Sequence, residues 1–343
     1  MAKAGSRNSI TDVRGILVGQ AEDRAGITGT TVVLPELPAA AAVDVRGAAP
    51  GTRETELLAA DALIDRIDAV VLSGGSAFGL DAAGGVMEWL AAAGRGFRVG
   101  STGGSEIRVP IVPAAILFDL GFPGRQNWNG APPYRELGRR AVAAAVQDFA
   151  LGNTGAGLGA RAGNLKGGIG SASLVLACGA TVGAIVAVNS WGSTVRPDCG
   201  RFWAAELALP GEISPQPPVP DTPVDLEDFS GTRAAGSGAA TTIAVVATDA
   251  PLDKIGCRRL AVMAQGGLAR AIRPIHTPFD GDSVFALSTG SGPSIDTRRL
   301  LSIGCAAADC LARAVMRAMI GAEPLNKISS WRQRWGAHEG STC

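Results

Sequence analysis

The chain has 343 residues, of which 46% are hydrophobic and 18% charged, so it is long and apolar enough to bury the core of one large domain or two ordinary ones. Lys+Arg and Asp+Glu balance at 31 each, which excludes a basic field that would attract nucleic acid or an anionic membrane. Arginine accounts for 27 of the basic residues and lysine for only 4, so a lysine in an unusual setting is informative.

Hydrophobic patterns predict a series of strands and helices joined by glycine-rich connections. In chain order these are a strand at 68–73, helices at 80–93 and 134–150, strands at 173–178 and 184–188, a strand from 241, a helix at 252–271, a strand at 283–287 and a helix at 297–319. A proline-rich stretch at 210–223 predicts an exposed linker.

Because the strand from residue 241 is apolar on both faces, it needs cover on both sides. The linker is therefore expected to loop over one continuous core instead of separating two domains, and the mixture of elements indicates a layered α/β or α+β fold.

The six cysteines form no CxxC pair and no zinc-type spacing, so neither a metal site nor a disulfide scaffold is predicted. The segment 1–15 lacks an apolar signal region, and no run of about 18 apolar residues occurs. A cytoplasmic location is the resulting expectation. No organic cofactor is expected either, because GLGARA at 157–162 lacks the preceding strand and the following carboxylate of a dinucleotide site.

Several other motifs do not by themselves identify a catalytic site. GGSAFG at 74–79 misses the serine-hydrolase elbow by one residue, and His276 is the one histidine outside the polar tail. Asp280-Gly281-Asp282 taken alone favours a tight turn. Lys166 among glycines and Asn189 at the end of an apolar strand each have an ordinary reading as a solvated or turn residue.

The stretch GSGAATTIAVVATDA at 236–250 joins a small, anchorless segment directly to a buried strand that opens with two threonines. One chemistry requires such a junction. A threonine hydroxyl can attack the preceding carbonyl, and the new N-terminal threonine then carries both a nucleophile and an α-amine base of pKa about 7.7–8. Local sequence alone favours the ordinary strand start.

Seven segments in order change that balance, because together they resemble the family of L-aminopeptidase/D-amidase-esterases, β-peptidyl aminopeptidases and nylon-oligomer endo-hydrolases. The resemblance spans about residues 8–319 and rests on these segments: NSITDVRGILVG, AAVDVRGAAPGTRET, LSGGSAFGLDAAGGV, GARAGNLKGGIGSAS, ATTIAVVATDA, LARAIRPIHTPFDGDSVFALSTG and GCAAADCLARAV. It implies a four-layer αββα sandwich of the N-terminal-nucleophile type, self-cleavage into residues 1–240 and 241–343, and a homo-oligomer, a dimer or tetramer, of processed protomers.

The resemblance also implies roles for individual residues. Thr241 falls on the nucleophile, with Ala240 and Thr241 flanking the cleaved bond. Lys166 falls on a lysine beside the nucleophile, and Asn189 on the asparagine that steadies the oxyanion or the amine. Asp280 and Asp282 fall on paired carboxylates that orient the threonine.

Two positions depart from the family. Ala240 replaces the usual asparagine, and since Asn tolerates left-handed backbone better than Ala, slower processing is the resulting hypothesis. Ile116 and Phe118 stand where the aminopeptidase branch has a Glu-x-Tyr pair that grips a substrate amine. The substrate pocket is therefore expected to favour small peptides or oligoamides without a charged amine near the cleaved bond, unless Asp119 or Asp81 replaces the glutamate.

The sequence thus predicts a self-processing amide hydrolase that forms an acyl-Thr241 intermediate without metal or cofactor. Three alternatives stay open: an aminopeptidase or esterase that requires a free N-terminal amine, an acyltransferase of the ornithine acetyltransferase type, and an unprocessed inactive homologue.

Overall fold

The computed structural model describes residues 2–103, 105–120, 128, 130–214, 216–221, 223, 225, 227–233, 240–293 and 295–336. Within them, strands and helices are numbered separately in chain order. The strands are β1 (Ile16–Asp23), β2 (Thr28–Pro35), β3 (Ala39–Val45), β4 (Thr52–Arg53), β5 (Arg66–Ile67), β6 (Val70–Ser73), β7 (Phe97–Thr102), β8 (Ser105–Val109), β9 (Ala114–Ile116), β10 (Arg161–Ala162), β11 (Leu165–Lys166), β12 (Gly168–Val175), β13 (Thr181–Val188), β14 (Ile243–Thr248) and β15 (Ser283–Ser288). The helices are α1 (Ala82–Ala92), α2 (Tyr134–Ala143), α3 (Lys254–Ala271), α4 (Thr297–Gly321) and α5 (Trp331–Trp335).

Two mixed sheets form the centre of the molecule. One has the strand order β1-β2-β6-β9-β4, and the other has the order β12-β13-β14-β15-β3-β5. Helices α3 and α4 pack on the outer face of the six-stranded sheet, and α1 and α2 pack on the outer face of the five-stranded sheet. The architecture is therefore an αββα sandwich with three apolar layers, which confirms the fold class predicted from the sequence.

Strand β14 shows why its sequence is apolar on both faces. Ala244 and Val246 point into the layer beneath α3 and α4, whereas Ile243, Val245 and Ala247 point into the layer between the sheets. All six residues of the strand are buried. A helix layer covers one face of β14 and the second sheet covers the other, as its apolar sequence predicted.

Most predicted elements in the second half of the chain lie close to their observed bounds, but the strand predicted at 173–178 is observed at Gly168–Val175. Two further differences lie in the first half. The helix predicted at 134–150 ends at Ala143, because the backbone of Val146 pairs with Val18 of β1 through hydrogen bonds of 2.9 and 3.0 Å. Strands β1 to β3 were not predicted. The alanine-rich β3 has weak strand propensity of its own and is held by pairing with β15 and β5.

Within the proline-rich stretch, Glu212 departs from the picture of an exposed linker. Its carboxylate is 4% exposed and makes a two-pronged ion pair with Arg313 of α4, with N–O distances of 2.7 Å on both prongs. The side chain of Asn8 joins the same cluster by donating to Glu212 and accepting from Arg313. This part of the stretch is therefore anchored to the core.

Candidate active site

The Ala240–Thr241 peptide lies at the entrance to β14 and is held on both sides. Thr241 donates its backbone N–H to the carbonyl of Asn189 at 2.9 Å, and Ala240 donates its own to the carbonyl of Phe279 at 2.8 Å. The carbonyl oxygen of Ala240 accepts the Gly281 N–H at 3.2 Å. Thr241 Oγ1 lies 2.5 Å from that same oxygen, so the hydroxyl sits directly against the carbonyl group of the preceding residue.

Both residues of this peptide are buried, Ala240 at 0% and Thr241 at 2% exposure. Ala240 forms an extended bridge parallel to Asp280 and lies outside the positive-φ region. Left-handed strain therefore does not distinguish alanine from asparagine at this position, and the physical basis of the slow-processing hypothesis is absent from the structure.

The Asp280-Gly281-Asp282 turn is a pair of fully buried carboxylates placed beside the junction. Asp280 accepts hydrogen bonds from the backbone N–H groups of Trp191 and Thr277, at 3.1 and 3.0 Å, and from the Thr277 hydroxyl. Asp282 accepts the backbone N–H of Thr242 at 2.7 Å. Complete burial shows that the two aspartates do more than form an exposed turn.

The loop that follows β3 presses against this turn. Ala49 and Arg46 donate their backbone N–H groups to the carbonyls of Asp280 and Asp282, at 2.9 and 2.7 Å. A Cβ at Gly47, where φ is +82°, would meet the Asp280 carbonyl oxygen at 2.2 Å, and one at Gly281 would meet that of Ala49 at the same distance. Glycine is needed at both positions because the two backbones approach so closely.

His276 connects the buried Asp282 to the surface. Its Nδ1 lies 2.8 Å from Asp282 Oδ2, its backbone N–H donates to the same oxygen at 3.2 Å, and its side chain is 20% exposed. Burial raises the pKa of Asp282, the His276 hydrogen bond opposes that rise, and the charge of Asp280 adds to it. Sequence reasoning considered His276 only as a triad base and missed this contact.

Lys166 is fully buried, which overturns its reading as a solvated loop residue. Its ammonium donates to the carbonyls of Gly157 and Gly167 at 2.8 and 2.7 Å. Burial lowers the pKa of Lys166 to about 7, with the negative charge of Asp119 acting in the opposite direction. A lysine poised near neutrality in the interior is typical of a functional site.

Asn189 directly follows β13 and is the hub of the cluster. Its carbonyl receives the Thr241 N–H, its Oδ1 receives the Arg161 N–H at 3.0 Å, and its Nδ2 donates to the Phe118 carbonyl at 3.1 Å. Arg161 in turn pairs with Lys166 across the β10–β11 ladder. The structure therefore brings Asn189, Asp280 and Asp282 into contact with the junction, and links Lys166 to it through Arg161.

The 116–119 segment reaches the same region from the other sheet. Ile116 is buried in β9, and the Phe118 carbonyl contacts Asn189. Asp119 is buried, accepts the Gly75 N–H at 2.8 Å and faces Lys166 electrostatically. Asp81, the other acid considered for the missing glutamate, lies at the surface and pairs with Arg135.

Sequence reasoning missed Arg233, which lies between the proline-rich stretch and the junction. Its buried guanidinium contacts both oxygens of Asn189, with Nη2 at 3.1 Å from the carbonyl oxygen and 2.5 Å from Oδ1. The only signal in the sequence was an arginine in an otherwise small, polar context. That signal is too weak to predict a buried contact with a residue 44 positions away.

In the described part of the chain, no three His, Cys, Asp or Glu side chains are grouped so that they could hold a metal ion. Among the same residues, no helix is both long enough and apolar enough to cross a membrane. The donor set at the junction consists instead of a hydroxyl, an amide, two carboxylates and buried cations. Such groups can carry out nucleophilic acyl transfer and stabilise an oxyanion.

Comparison with solved structures identifies the class. The model superimposes on the L-aminopeptidase D-Ala-esterase/amidase from Ochrobactrum anthropi, described as a variant of the N-terminal-nucleophile hydrolase fold, with a TM-score of 0.71, 22% identity and coverage of 98% of this chain and 96% of that one. A beta-aminopeptidase from a Burkholderia species matches with a TM-score of 0.69 and 23% identity, covering 98% and 94%. The chain thus has the N-terminal-nucleophile hydrolase fold.

Sequence comparison then gives the family. The model of peptidase family S58 matches residues 8–331, and the chain belongs to that family. An uncharacterized aminopeptidase of Mycobacterium tuberculosis is 45% identical over 97% of this chain and 100% of its own length. A 6-aminohexanoate-oligomer endohydrolase of Paenarthrobacter ureafaciens is 29% identical over 89% and 82%. The family resemblance seen in the sequence is confirmed, and the protein is a hydrolase of amide bonds.

Proposed function

We propose that the chain is a precursor that cleaves itself between Ala240 and Thr241 and then hydrolyses small peptides or oligoamides with Thr241 as the N-terminal nucleophile. The observation that carries this proposal is the contact of 2.5 Å between Thr241 Oγ1 and the Ala240 carbonyl oxygen, in a peptide held by Asn189 and Gly281. This contact keeps the hydroxyl beside the carbonyl group whose carbon it would attack.

The cleavage proceeds in two steps. The Thr241 hydroxyl adds to the Ala240 carbonyl carbon, the C–N bond breaks, and the nitrogen retains the transferred proton as a free amine while an ester joins residues 240 and 241. Water then hydrolyses the ester, leaving a carboxylate on Ala240 and a free N-terminal threonine. The Gly281 N–H, 3.2 Å from the carbonyl oxygen, is positioned to stabilise the negative charge that develops on it.

Turnover of an external amide uses the same groups. The freed amine of Thr241 takes the hydroxyl proton, Oγ1 attacks the substrate carbonyl, and the leaving amine receives the proton before water releases the acyl group. Asn189 and Gly281 donate to the oxyanion, Asp280 and Asp282 hold the backbone around Thr241, and Lys166 contributes positive charge to the site. This assignment keeps every residue predicted from the sequence in the catalytic group.

The substrate class follows from what surrounds the junction. Trp191 stacks on Phe279 at 5.6 Å between ring centroids and meets Phe229 edge-on at 5.7 Å. Phe229 and Phe279 are about half exposed, and the Phe279 backbone touches the junction. This apolar surface fits an oligoamide with methylene or apolar side chains.

The 116–119 segment supports a substrate without a charged amine beside the cleaved bond. Ile116 and Phe118 carry no charge, and Asp119 is already engaged by the Gly75 N–H and compensated by Lys166. An ammonium placed here would therefore lose its partner, at a cost of about 2–5 kcal/mol in a desolvated site. The second candidate is an aminopeptidase, which is favoured by the name of the 45%-identical relative.

Intact-mass analysis tests the processing step. Wild type held at neutral pH should convert into two fragments that separate before Thr241, Thr241→Ser should convert more slowly, and Thr241→Ala should stay whole. A wild-type chain that stays whole for days while hydrolysing amides would contradict the proposal, and a whole, inactive chain would support the unprocessed-homologue alternative.

Paired substrates test the substrate class. An aminoacyl p-nitroanilide carries a charged amine that its N-acetylated form replaces with a neutral amide, so a preference for the acetylated form is expected. A strong preference for the free amine would favour the aminopeptidase candidate. Adding an amine acceptor separates hydrolysis from acyl transfer by product analysis. Assembly into a dimer or tetramer also remains a prediction, which size-exclusion chromatography with light scattering can check.

A further inference from the structure

Arg233 is a buried cation that the proposed mechanism does not yet use. Its Nη2 donates to the carbonyl of Arg161 at 2.6 Å and to both oxygens of Asn189, and its Nε donates to the carbonyl of Ser190 at 3.2 Å. Its backbone N–H donates to the Trp191 carbonyl at 3.0 Å, so the main chain is anchored as well. A side chain held by this many oxygens has a fixed position.

The contacts of Arg233 meet those of Thr241 at one atom. The Asn189 carbonyl oxygen accepts from Arg233 Nη2 at 3.1 Å and from the Thr241 nitrogen at 2.9 Å. The two nitrogens are therefore no more than about 6 Å apart, a range in which one positive charge disfavours another. After cleavage, the Thr241 nitrogen is the α-amine that must be neutral to accept a proton.

We propose, on the basis of the proposed function, that Arg233 is a positioning residue with two effects on this site. By binding Asn189 Oδ1, it fixes which end of the amide faces Arg161, and so aims the Asn189 NH₂ group. By placing a positive charge beside the Thr241 nitrogen, it favours the neutral amine over the ammonium.

The surrounding charges make the second effect necessary. Asp280 and Asp282 both lie beside the junction and favour the ammonium, and Asp282 is bonded to His276. Arg233 and the neighbouring Arg161 oppose them. Farther out, Lys166 and Asp119 offset each other.

Arg233 keeps its charge under working conditions. Burial lowers the pKa of Arg233 to about 9, with the charge of Arg161 lowering it further and that of Asp280 opposing the decrease. The guanidinium is therefore still protonated at neutral pH. Without it, the pKa of the α-amine would rise, because Arg161 alone would remain to oppose the two carboxylates.

This role places part of the site on each side of the cleaved bond. Arg233 belongs to residues 1–240 and Thr241 begins the second fragment. The fragments must therefore stay together up to Arg233 for the amine to remain tuned, whatever becomes of the residues between.

The test compares Arg233→Met and Arg233→Gln, which remove the charge, with Arg233→Lys, which keeps an ionisable nitrogen but cannot reach the Ser190 carbonyl and Asn189 together as Nε and Nη2 do. Arg95→Met is the control, since Arg95 is a partly buried arginine that follows α1 and lies beside Asp68. The amine pKa is read from the pH dependence of N-terminal acylation of the 241–343 fragment by intact mass, and from the acidic limb of kcat/KM on an N-acyl p-nitroanilide.

We expect the uncharged variants to raise both pKa values by about one unit, so that kcat/KM at pH 6 falls about tenfold against its plateau. Arg233→Lys should give an amine pKa between those of wild type and the uncharged variants, because burial lowers the pKa of a lysine toward neutrality as it does at Lys166, and should lose about tenfold in kcat. Arg95→Met should match wild type. Acylation curves of Arg233→Met and Arg233→Gln that superimpose on wild type would overturn the proposal.

The outcome in which a variant fails to cleave itself is interpreted separately. If neither uncharged variant is cleaved, Arg233→Lys decides: a reduced kcat with an amine pKa at or above the wild-type value supports the proposal, whereas an amine pKa below the wild-type value or an unchanged kcat overturns it. If Arg233→Lys is not cleaved while Arg95→Met is, Arg233 is needed for processing itself and the proposal is also overturned. Failure of the proposed function is distinct, because it would appear in wild type.

Discussion

Arg313 and Lys166 are both buried cations, yet they are held in opposite ways. Arg313 lies 1% exposed in α4 and is matched by the carboxylate of Glu212, with Asn8 and the Ser173 carbonyl completing its contacts. Lys166 donates instead to two backbone carbonyls, and the nearest compensating charge acts through its field alone. One arrangement neutralises its charge and the other leaves it available.

The pKa values follow from this difference. Burial alone would raise the pKa of Glu212, but hydrogen bonds from Arg313, Leu209 and Asn8 outweigh it and the pKa is lowered. The pKa of Lys166 is lowered to about 7, which destabilises its charged form. A fully paired buried charge is costly to leave without its partner, whereas a buried charge with a pKa displaced to near neutrality indicates chemistry. Four substitutions test whether this comparison holds.

The largest effect is expected at the nucleophile. Thr241→Ala should lower amidase turnover by about 10⁴-fold or more, since no other hydroxyl contacts the Ala240 carbonyl oxygen among the described residues. It should change the free energy of unfolding by less than about 1 kcal/mol, because a buried hydroxyl that bonds only its neighbour contributes little. Turnover assays and urea titration measure the two effects. A variant with substantial turnover would remove Thr241 from the mechanism.

At the Arg313–Glu212 ion pair, we expect substitution to lower the stability of the fold. Arg313→Met should lower the free energy of unfolding by about 3–5 kcal/mol, because Glu212 becomes a buried charge without its partner, and Arg313→Met with Glu212→Gln should recover most of that. Urea unfolding in the Thr241→Ala background keeps the chain whole. If the single and double variants lost the same free energy of unfolding, Arg313 and Glu212 would not stabilise the fold as a pair.

Acid adds an independent check on the same pair. Because the pKa of Glu212 is lowered on folding, its contribution is present above the unfolded pKa of about 4.3 and is lost as pH falls through the folded value. In the Thr241→Ala background, the difference in free energy of unfolding that Arg313→Met causes should therefore narrow below about pH 4. The pair also joins residues 1–240 to residues 241–343, so processed fragments should remain associated above that pH.

Substitution of Lys166 should change the free energy of unfolding in the opposite direction from substitution of Arg313. Lys166→Met should raise the free energy of unfolding at pH 6 by roughly 1–3 kcal/mol, because the folded state no longer pays for a buried ammonium. The folded pKa of about 7 lies below the unfolded value of about 10.4, so the cost of the lysine is greatest below pH 7 and disappears as pH rises toward 10.4.

The stability gain from Lys166→Met should therefore shrink between pH 7 and pH 10. Amidase turnover should fall in the same variant. Lys254→Met is a control: this lysine is also largely buried, but it donates to the carbonyls of Leu57 and Ala62 far from the junction. Its substitution should lower stability and spare turnover. A Lys166→Met protein that is both less stable and fully active would show that Lys166 supports the fold, as Arg313 does, and has no part in catalysis.

How far the sequence predicts this molecule depends on the range of the forces involved. Strands β14 and β15 and helices α3 and α4 were predicted because their periodicity is local and strong. Strand β3 was not, because alanine carries little strand preference and pairing with β15, more than 200 residues away, decides its conformation.

The site divides in the same way. Local sequence alone favoured an ordinary strand start at Thr241, a turn at Asp280 and Asp282, and a solvated Lys166, and it was the family resemblance that assigned these residues to the site. Arg233 and His276 act through contacts that only the folded chain creates. These contacts, and the burial that comes with them, are properties of the packed structure that no local pattern carries.

The smallest effect is expected at Ala240, where the family usually has asparagine. Its backbone is extended and bridged to Asp280, and its side chain is fully buried, so the conformational advantage of asparagine in left-handed backbone does not apply here. Ala240→Asn must instead place a polar amide in a filled space, which costs roughly 1 kcal/mol if it finds a hydrogen bond. We expect the rate of self-cleavage, measured by intact mass, to fall by about two- to tenfold. Ala240→Gly, which adds no volume, should process within about threefold of wild type. Faster cleavage in the asparagine variant would show that backbone strain at the junction, and not the preorganised hydroxyl alone, limits the reaction.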